Sequence, residues 1–302
     1  MKYIILIVAL LSSSSSAIAQ DVDHISDINF YADVTATAGI PQNRLKADFK
    51  LVALVEEFLA NNATKADELS TIPYLSVKTA ENGEFTLITW YVINEEKEYI
   101  HHGYIATREG KVHKLTPEPA AKPRDVAYER LDKDSWYGAL YYNMMATTFE
   151  GKPAYLLFGF DGHEGFEHRK VVDVIRLVDG EPVFGAELFK EASEGNKRPT
   201  IYTRLLLEYS NDANVSVNYN EDLGLIKYDH LISRMGRKPG QGPTLVPDGS
   251  YVGYKWDGTY WNKVDKIFDQ VSATPPMDGR KKKSNKTLFG GEKIKKASKK
   301  RE

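Results

Sequence analysis

The feature that most constrains this chain is a two-residue alternation of apolar and polar side chains that begins near residue 85 and recurs almost to residue 265. Successive side chains of a β-strand point to opposite faces, so this period is typical of strands. Phe85–Ile93 and Tyr99–Thr107 predict a hairpin about residues 95–97, and Lys111–Leu115 continues it. The alternation therefore predicts a mainly β fold.

Short turns rich in Asp-Gly and Glu-Gly pairs connect the later segments, and these pairs supply the positive φ of tight hairpins. No helical crossover pattern separates the segments, which favours antiparallel hairpins and meanders over a parallel sheet. The sequence leaves open a propeller-like closure, two stacked sheets or two small sandwiches. The predicted strands are Tyr137–Phe149, Ala154–Phe160, Lys170–Val178, Val183–Phe189, Ile201–Tyr209, Val215–Tyr219, Gly224–His230, Ser250–Trp256 and Thr259–Val264.

One N-terminal helix is predicted near residues 43–61, with Pro41 near its start and Asn61-Asn62 at its end. Its apolar side is wide and its polar side is not strongly basic, so we expect it to pack on a core rather than on a membrane. The apolar positions at helical spacing are Leu45, Phe49, Val52, Val55 and Leu59.

The N-terminus predicts export. Lys2 precedes the apolar run Tyr3–Leu11, and Ala17-Ile18-Ala19 fits the small-x-small cleavage rule, so residues 1–19 are predicted to be a signal peptide. This run is too short for a bilayer core of about 30 Å, and no later segment is long and apolar enough, so no transmembrane segment is expected in the mature chain. The predicted location is periplasmic or extracellular.

Charge is unevenly distributed along the chain. Residues 280–302 carry a net charge of +9, whereas residues 20–279 carry −12. The basic segment has few large apolar residues, so residues 275–302 are predicted to be a disordered tail. It could bind an anionic envelope surface, fold back on the acidic body, or only aid solubility; specific nucleic-acid recognition is not expected, because aromatics do not interleave with its cations. The candidate binding residues are Lys281, Lys282, Lys283, Lys295, Lys296, Lys299 and Lys300.

These patterns suggest four regions. They are the signal peptide 1–19, a helix and first hairpin in 20–120, a β-meander in 121–274 and the tail 275–302, with a polar, proline-containing stretch at 116–124 as the internal boundary. The absence of cysteine excludes disulfides, thiolate catalysis, cysteine-ligated zinc and iron–sulfur clusters. Serine-nucleophile, phosphate-loop and dinucleotide motifs are also absent from the sequence, so no cofactor is predicted.

Three groups of residues are candidates for chemistry. His163 and His168 could ligate a metal, but their loop misses the zinc-protease motifs and contains two glycines, which favours a solvated turn. Glu208, Asp229 and His230 could provide acid–base catalysis, although surface ion pairs and turn capping explain them more simply. The neighbouring His101 and His102 should point to opposite faces of one strand.

The aromatic residues near the C-terminal hairpin form a fourth group, whose candidate role is ligand binding. Exposed and coplanar rings there could stack on sugars, whereas inward rings would only lock the hairpin. The rings are those of Tyr251, Tyr254, Trp256, Tyr260 and Trp261.

A series of motifs spread over roughly residues 40–265 resembles an uncharacterised family of exported, β-rich Bacteroidetes-type proteins. The resemblance implies export and a β-rich body, and it implies no activity. The motifs are ITWYV, WYGALYY (Trp136–Tyr142), YLLFGFDG (Tyr155–Gly162), RKVVDVI (Arg169–Ile175), PVFG (Pro182–Gly185), LLLEYS (Leu205–Ser210), IKYDHL (Ile226–Leu231) and VPDGSYVGYKW (Val246–Trp256).

Taken together, these features favour a non-enzymatic binding or scaffolding protein of the cell envelope whose basic tail engages anionic surfaces. The alternatives are a periplasmic or secreted hydrolase that uses Glu208, Asp229 and His230, and a carbohydrate-binding module that uses the C-terminal aromatics.

The leader gives the first testable prediction. Expression of the full chain in an exporting bacterial host should yield a mature protein that begins at Gln20, because signal peptidase cleaves after a small residue such as Ala19. Intact-mass and N-terminal peptide analysis would measure this. The variant Ala19→Arg should stay uncleaved, and a wild-type protein that retains residue 1 would contradict the prediction.

Overall fold

The computed structural model describes residues 24–117, 126–163, 165–192 and 198–267. Within these residues it contains fifteen strands in three sheets, together with an N-terminal helical region. The predicted mainly β fold class with a helix near 43–61 is confirmed. The chain divides into two compact units, Met1–Ile267 and Phe268–Glu302, and every described residue lies in the first.

The helical region consists of α1 (24–37), α2 (Pro41–Asn62) and a 3-10 helix (Ala63–Thr71). Pro41 occupies the start of α2, where its missing N–H costs no helical hydrogen bond. The helix α1 was not predicted from the sequence. The buried side of α2 is also narrower than predicted, because Phe49 is 72% exposed. The residues of α2 that enter the core are Ala47, Asp48, Leu51, Val55, Phe58 and Leu59.

Sheet A follows directly after the helices and is an antiparallel meander. Its strands are β1 (Ser76–Thr79), β2 (Phe85–Ile93), β3 (Tyr99–Thr107) and β4 (Val112–Leu115), in the order β1-β2-β3-β4. The bounds of β2 and β3 are those predicted. Their side chains alternate between a face that packs on the helices, which includes Ile88 and Trp90, and a face that packs on the next sheet, which includes Phe85 and Leu87.

Sheet B is formed by the middle of the chain, and its strands pair in the order β11-β7-β6-β5 with β8 beside β7. All its pairings are antiparallel. Its strands are β5 (Leu140–Phe149), β6 (Lys152–Asp161), β7 (Glu167–Val178), β8 (Glu181–Phe184) and β11 (Leu205–Ser210).

Sheet C has the order β10-β9-β15-β14-β13-β12, and only its β9–β15 pair is parallel among the described strands. The single strand predicted over Ile201–Tyr209 is wrong: Thr203 and Arg204 separate β10 in sheet C from β11 in sheet B. The strands of sheet C are β9 (Phe189–Glu191), β10 (Thr200–Tyr202), β12 (Val217–Asn220), β13 (Leu225–Met235), β14 (Pro243–Trp256) and β15 (Trp261–Ile267).

Three hydrophobic clusters join these elements into four layers. One lies between the helices and sheet A, one between sheets A and B, and one between sheets B and C. Sheet B is buried on both faces: Leu157 and Val171 face sheet A, whereas Leu156 and Val172 face sheet C. Burial on both faces explains why β6 and β7 have nearly continuous apolar sequences.

The boundary predicted at residues 120 and 121 lies outside the described residues. On either side of it, sheets A and B share one hydrophobic cluster, in which Leu87 and Ile105 pack with Leu157 and Ile175. In the part of the chain that the structure describes, no helix combines the length and the apolar character needed to cross a bilayer.

A fully buried ion pair fixes the start of β11 to the centre of β7. Arg204 Nε lies 3.1 Å from Asp173 Oδ1, and neither side chain is exposed to solvent. Arg204 also donates hydrogen bonds to the carbonyl oxygens of Val126 and Glu129, and the Tyr141 hydroxyl donates to Asp173 at 3.3 Å. These hydrogen bonds offset part of the cost of burying two charges.

We expect Arg204→Met to lower the free energy of unfolding by about 3–5 kcal/mol, because it leaves the Asp173 carboxylate buried without its cation. Urea denaturation would measure the loss. The double variant Asp173→Leu/Arg204→Met removes both charges and should recover most of it. A double variant as unstable as the sum of the two single variants would contradict this account.

Candidate functional site

The loop with the two candidate metal ligands begins at Asp161, the last residue of β6. His163 accepts a hydrogen bond at Nε2 from Arg169 Nη2 at 2.9 Å, whereas His168 Nδ1 lies 2.7 Å from the Gly162 carbonyl oxygen. The His168 ring is also edge-on to Phe160, Tyr99 and Tyr209. Among the described residues there is no group of three or more His, Asp or Glu side chains placed to hold a metal ion.

Arg169 is the centre of a network of which only the ion pair with Glu208 was considered from the sequence. Its side chain is 6% exposed; Nε and Nη2 lie 2.9 and 2.8 Å from Glu208 Oε2, and Nη1 lies 3.9 Å from Asp161. The Tyr137 hydroxyl donates to Asp161 Oδ2 at 2.9 Å. The network therefore joins the end of β6, the start of β7, β11 and the segment before β5.

Glu167 and Glu208 form a carboxyl pair at the edge of this network. Burial, together with the hydrogen bond to Glu208, raises the pKa of Glu167. Burial also acts to raise the pKa of Glu208, but hydrogen bonds from Glu167 and Arg169 outweigh it and hold that pKa below its ordinary value. Glu167 is therefore the carboxyl that keeps the proton longer, and Glu208 is the anion that faces Arg169.

A groove of about 720 Å³ runs beside β11, and we call it the β11 groove. Five consecutive residues, Arg204–Glu208, form one side of it. The other side comes from sheet C and includes Tyr228, His230, Tyr254 and Lys263. Both apolar and charged side chains thus face the same space.

The structure brings Glu208 and His230 to the β11 groove but does not bring Asp229 there. His230 Nδ1 lies 2.9 Å from Asp248 Oδ2. Hydrogen bonds from Ser250 and then from His230 lower the pKa of Asp248 to about 2. Asp229 does not line the groove, and its Oδ2 accepts hydrogen bonds from the Ser216 amide and hydroxyl at 2.6 and 2.8 Å.

The C-terminal aromatic rings do not form one exposed coplanar surface. Tyr254 and Trp261 are buried in the cluster between sheets B and C. Trp256 packs against Trp261 with a tilt of 44°. The Lys227 and Lys190 ammonium groups lie over the rings of Tyr251 and Tyr260, at 3.7 and 5.0 Å from the ring centroids. The candidate lysines of the tail, from Lys281 to Lys300, lie outside the described residues.

A second cavity, of about 680 Å³, lies on the other side of the Arg169–Glu208 ion pair, and we call it the His101 cavity. Its lining includes His101, Tyr137, Asp161 and Arg169. Of its lining residues, the histidines His101, His102 and His163 were singled out from the sequence. The predicted opposite orientation of these histidines is confirmed, because His102 Nε2 bonds to Asp48 of α2 at 2.9 Å.

His101 is held neutral in this cavity. It is 7% exposed, and its Nε2 atom has no hydrogen-bond partner among the described residues. Burial lowers the pKa of His101 to about 4, and the negative charge of Asp161 offsets only part of that effect.

Comparisons of the chain with protein-family models, with curated proteins and with solved structures found no match. The family resemblance stated above therefore stays a prediction.

The buried histidine predicts a pH-dependent stability. Between pH 6.5 and about 4 the unfolded chain binds a proton at His101 that the folded chain does not, so stability should fall as the pH falls, by at most about 3 kcal/mol from this group. Urea denaturation across that range would measure it. His101→Phe should flatten the decline, and the same pH dependence in both proteins would contradict the assignment.

Proposed function

We propose that the protein is exported and acts as a non-enzymatic binding protein of the cell envelope, with the β11 groove as its ligand site and the tail as its attachment to anionic surfaces. The observation that carries the binding role is the groove itself. A buried ion pair anchors one wall, and the other belongs to a six-stranded sheet, so the site exists before the ligand arrives. A preformed groove lowers the ordering cost of binding.

The side chains around the groove support binding more than hydrolysis. A hydrolase that used Glu208, Asp229 and His230 would need these groups to converge on one substrate. Instead, Glu208 accepts from Arg169, Asp229 accepts from Ser216, and His230 pairs with Asp248. Each of these side chains is bonded to a neighbour within the protein. Such bonds hold a side chain in a fixed position, as a binding site requires.

The charge pattern supports surface attachment. The basic part of the tail, residues 280–302, carries eleven Lys and Arg residues against two Glu residues. A basic residue near an anionic lipid surface contributes about 1 kcal/mol, and the attraction falls off within a Debye length. The acidic body would be repelled by the same surface, so attachment would depend on the tail.

Neutralising the tail lysines tests this attachment. A variant with Lys→Gln at the seven candidate tail lysines should bind vesicles of phosphatidylglycerol and phosphatidylcholine at least about tenfold more weakly than wild type at low salt, because it loses most of its cationic charge. Wild-type binding should weaken as salt rises. Vesicle cosedimentation, with vesicles of phosphatidylcholine alone as a blank, measures both effects.

A matched control changes the same number of exposed lysines on the body to glutamine. It should lose much less binding to the anionic vesicles than the tail variant, because its cationic tail is intact. Equal loss in the control and the tail variant would contradict a role for the tail. The control lysines are Lys46, Lys50, Lys65, Lys97, Lys152, Lys238 and Lys255.

A further inference from the structure

The strand β11 has one unpaired edge. On one side it pairs with β7, from Leu205 opposite Val172 to Ser210 opposite Glu167. In an antiparallel ladder only alternate residues direct their N–H and C=O groups to the partner, so the others point away from β7. Among the described residues, no strand pairs with that outer edge. In the part of the chain that the structure describes, the backbone groups of Leu205–Tyr209 also make no hydrogen bond to a loop.

The β11 groove follows this unpaired edge. Successive side chains of a strand point to opposite faces, so a cavity against one face meets only every second residue. The β11 groove is lined by all five residues from Arg204 to Glu208. It therefore runs along the backbone edge of β11, where an additional strand would lie.

The edge lacks three of the features that commonly protect sheet edges. Exposed sheet edges commonly carry lysine, proline or a bulge that prevents pairing with another chain. The sequence of β11, LLLEYS, contains neither lysine nor proline, and its pairing with β7 is regular. Such an edge is suited to accept a strand.

The walls of the groove have the character of a peptide site. Leu206, Leu231 and Leu245 provide apolar surface, and Leu245 is 37% exposed. Tyr128 packs beside Tyr202 with a centroid separation of 5.1 Å, and tyrosines provide contact area at low entropic cost. Every second side chain of an extended peptide could pack against these leucine and tyrosine side chains.

The charges of the groove favour a cationic group on that ligand. Glu191 is paired with Lys263 at 3.3 Å, and Glu208 is paired with Arg169. Asp265, which also lines the groove, makes no ion pair with any side chain that the structure describes. A Lys or Arg side chain of the ligand would complement it.

We propose that the β11 groove binds an extended peptide that pairs with β11 as an added strand and places a basic side chain near Asp265. The peptide would match the six residues of β11, a length of about 20 Å. This inference rests on the proposed binding function and specifies its ligand. Backbone hydrogen bonds would supply affinity, and the leucine and tyrosine walls would supply selectivity.

Selection and backbone methylation test the proposal on the full chain. A displayed random peptide library is selected against the protein, and the strongest peptide is synthesised with one N-methyl group at each position in turn. Methylation at every second residue should weaken binding by about tenfold, because it removes one strand hydrogen bond, and the intervening positions should tolerate it. Hydrogen exchange should show added protection of Leu205–Tyr209 when the peptide binds.

Two side-chain variants form a matched pair. Leu245→Asp changes the groove wall, whereas Ile232→Asp changes a residue of similar exposure on the neighbouring strand that does not line the groove. Only Leu245→Asp should weaken binding of the peptide. Asp265→Asn should lower the affinity for a peptide that contains lysine more than it lowers the affinity for the same peptide with that lysine replaced by glutamine.

Several results would overturn the proposal. They are the absence of any enriched peptide, N-methyl effects that do not alternate along the peptide, and equal losses of peptide binding in Leu245→Asp and Ile232→Asp. A fourth is self-association in ultracentrifugation together with hydrogen-exchange protection of β11 without peptide, which would make a second copy of the chain the occupant. The vesicle experiment is read separately. If the tail still attaches the protein to anionic vesicles while any of these results is obtained, peptide binding is disproved and the attachment role of the tail is not.

Discussion

The ion pair between Asp173 and Arg204 is the interaction on which the rest of the described structure depends. It ties the centre of β7 to the residue just before β11, and Arg204 also holds the carbonyl groups of Val126 and Glu129. Three segments distant in sequence thus meet at one buried cation. Because removing either charge would leave the other unpaired in the core, the position of β11 is strongly determined. The same ion pair therefore fixes the position of the wall that β11 contributes to the β11 groove.

Local patterning in the sequence predicted most strands but not their assembly. The strand predicted over Val183–Phe189 is wrong, because it spans the end of β8 in sheet B and the start of β9 in sheet C. The hairpin of Phe85–Ile93 and Tyr99–Thr107 has the predicted bounds, because alternation and turn residues are properties of neighbours in sequence. The segment Ile201–Tyr209 was mistaken for one strand, since alternation does not show that its two parts join different sheets. The helix 24–37 was missed, and Phe49 of α2 was assigned to the core although most of it is exposed.

The candidate site was predictable only in part, for the same reason. Glu208 and His230 were identified as residues of interest from their local sequence, and they line one groove. Tyr137 was not, because what distinguishes it is a hydrogen bond to Asp161 in a remote segment. The unpaired edge of β11 is likewise a property of strand order, which hydrophobic periodicity does not encode.

The Arg169–Glu208 ion pair has one more consequence, because it is a wall shared by two compartments. Glu208 faces the β11 groove, and Arg169 faces the His101 cavity. A molecule that draws the Glu208 carboxylate towards itself in one compartment leaves the guanidinium with fewer partners in the other. Thermodynamic linkage requires any such coupling to act equally in both directions.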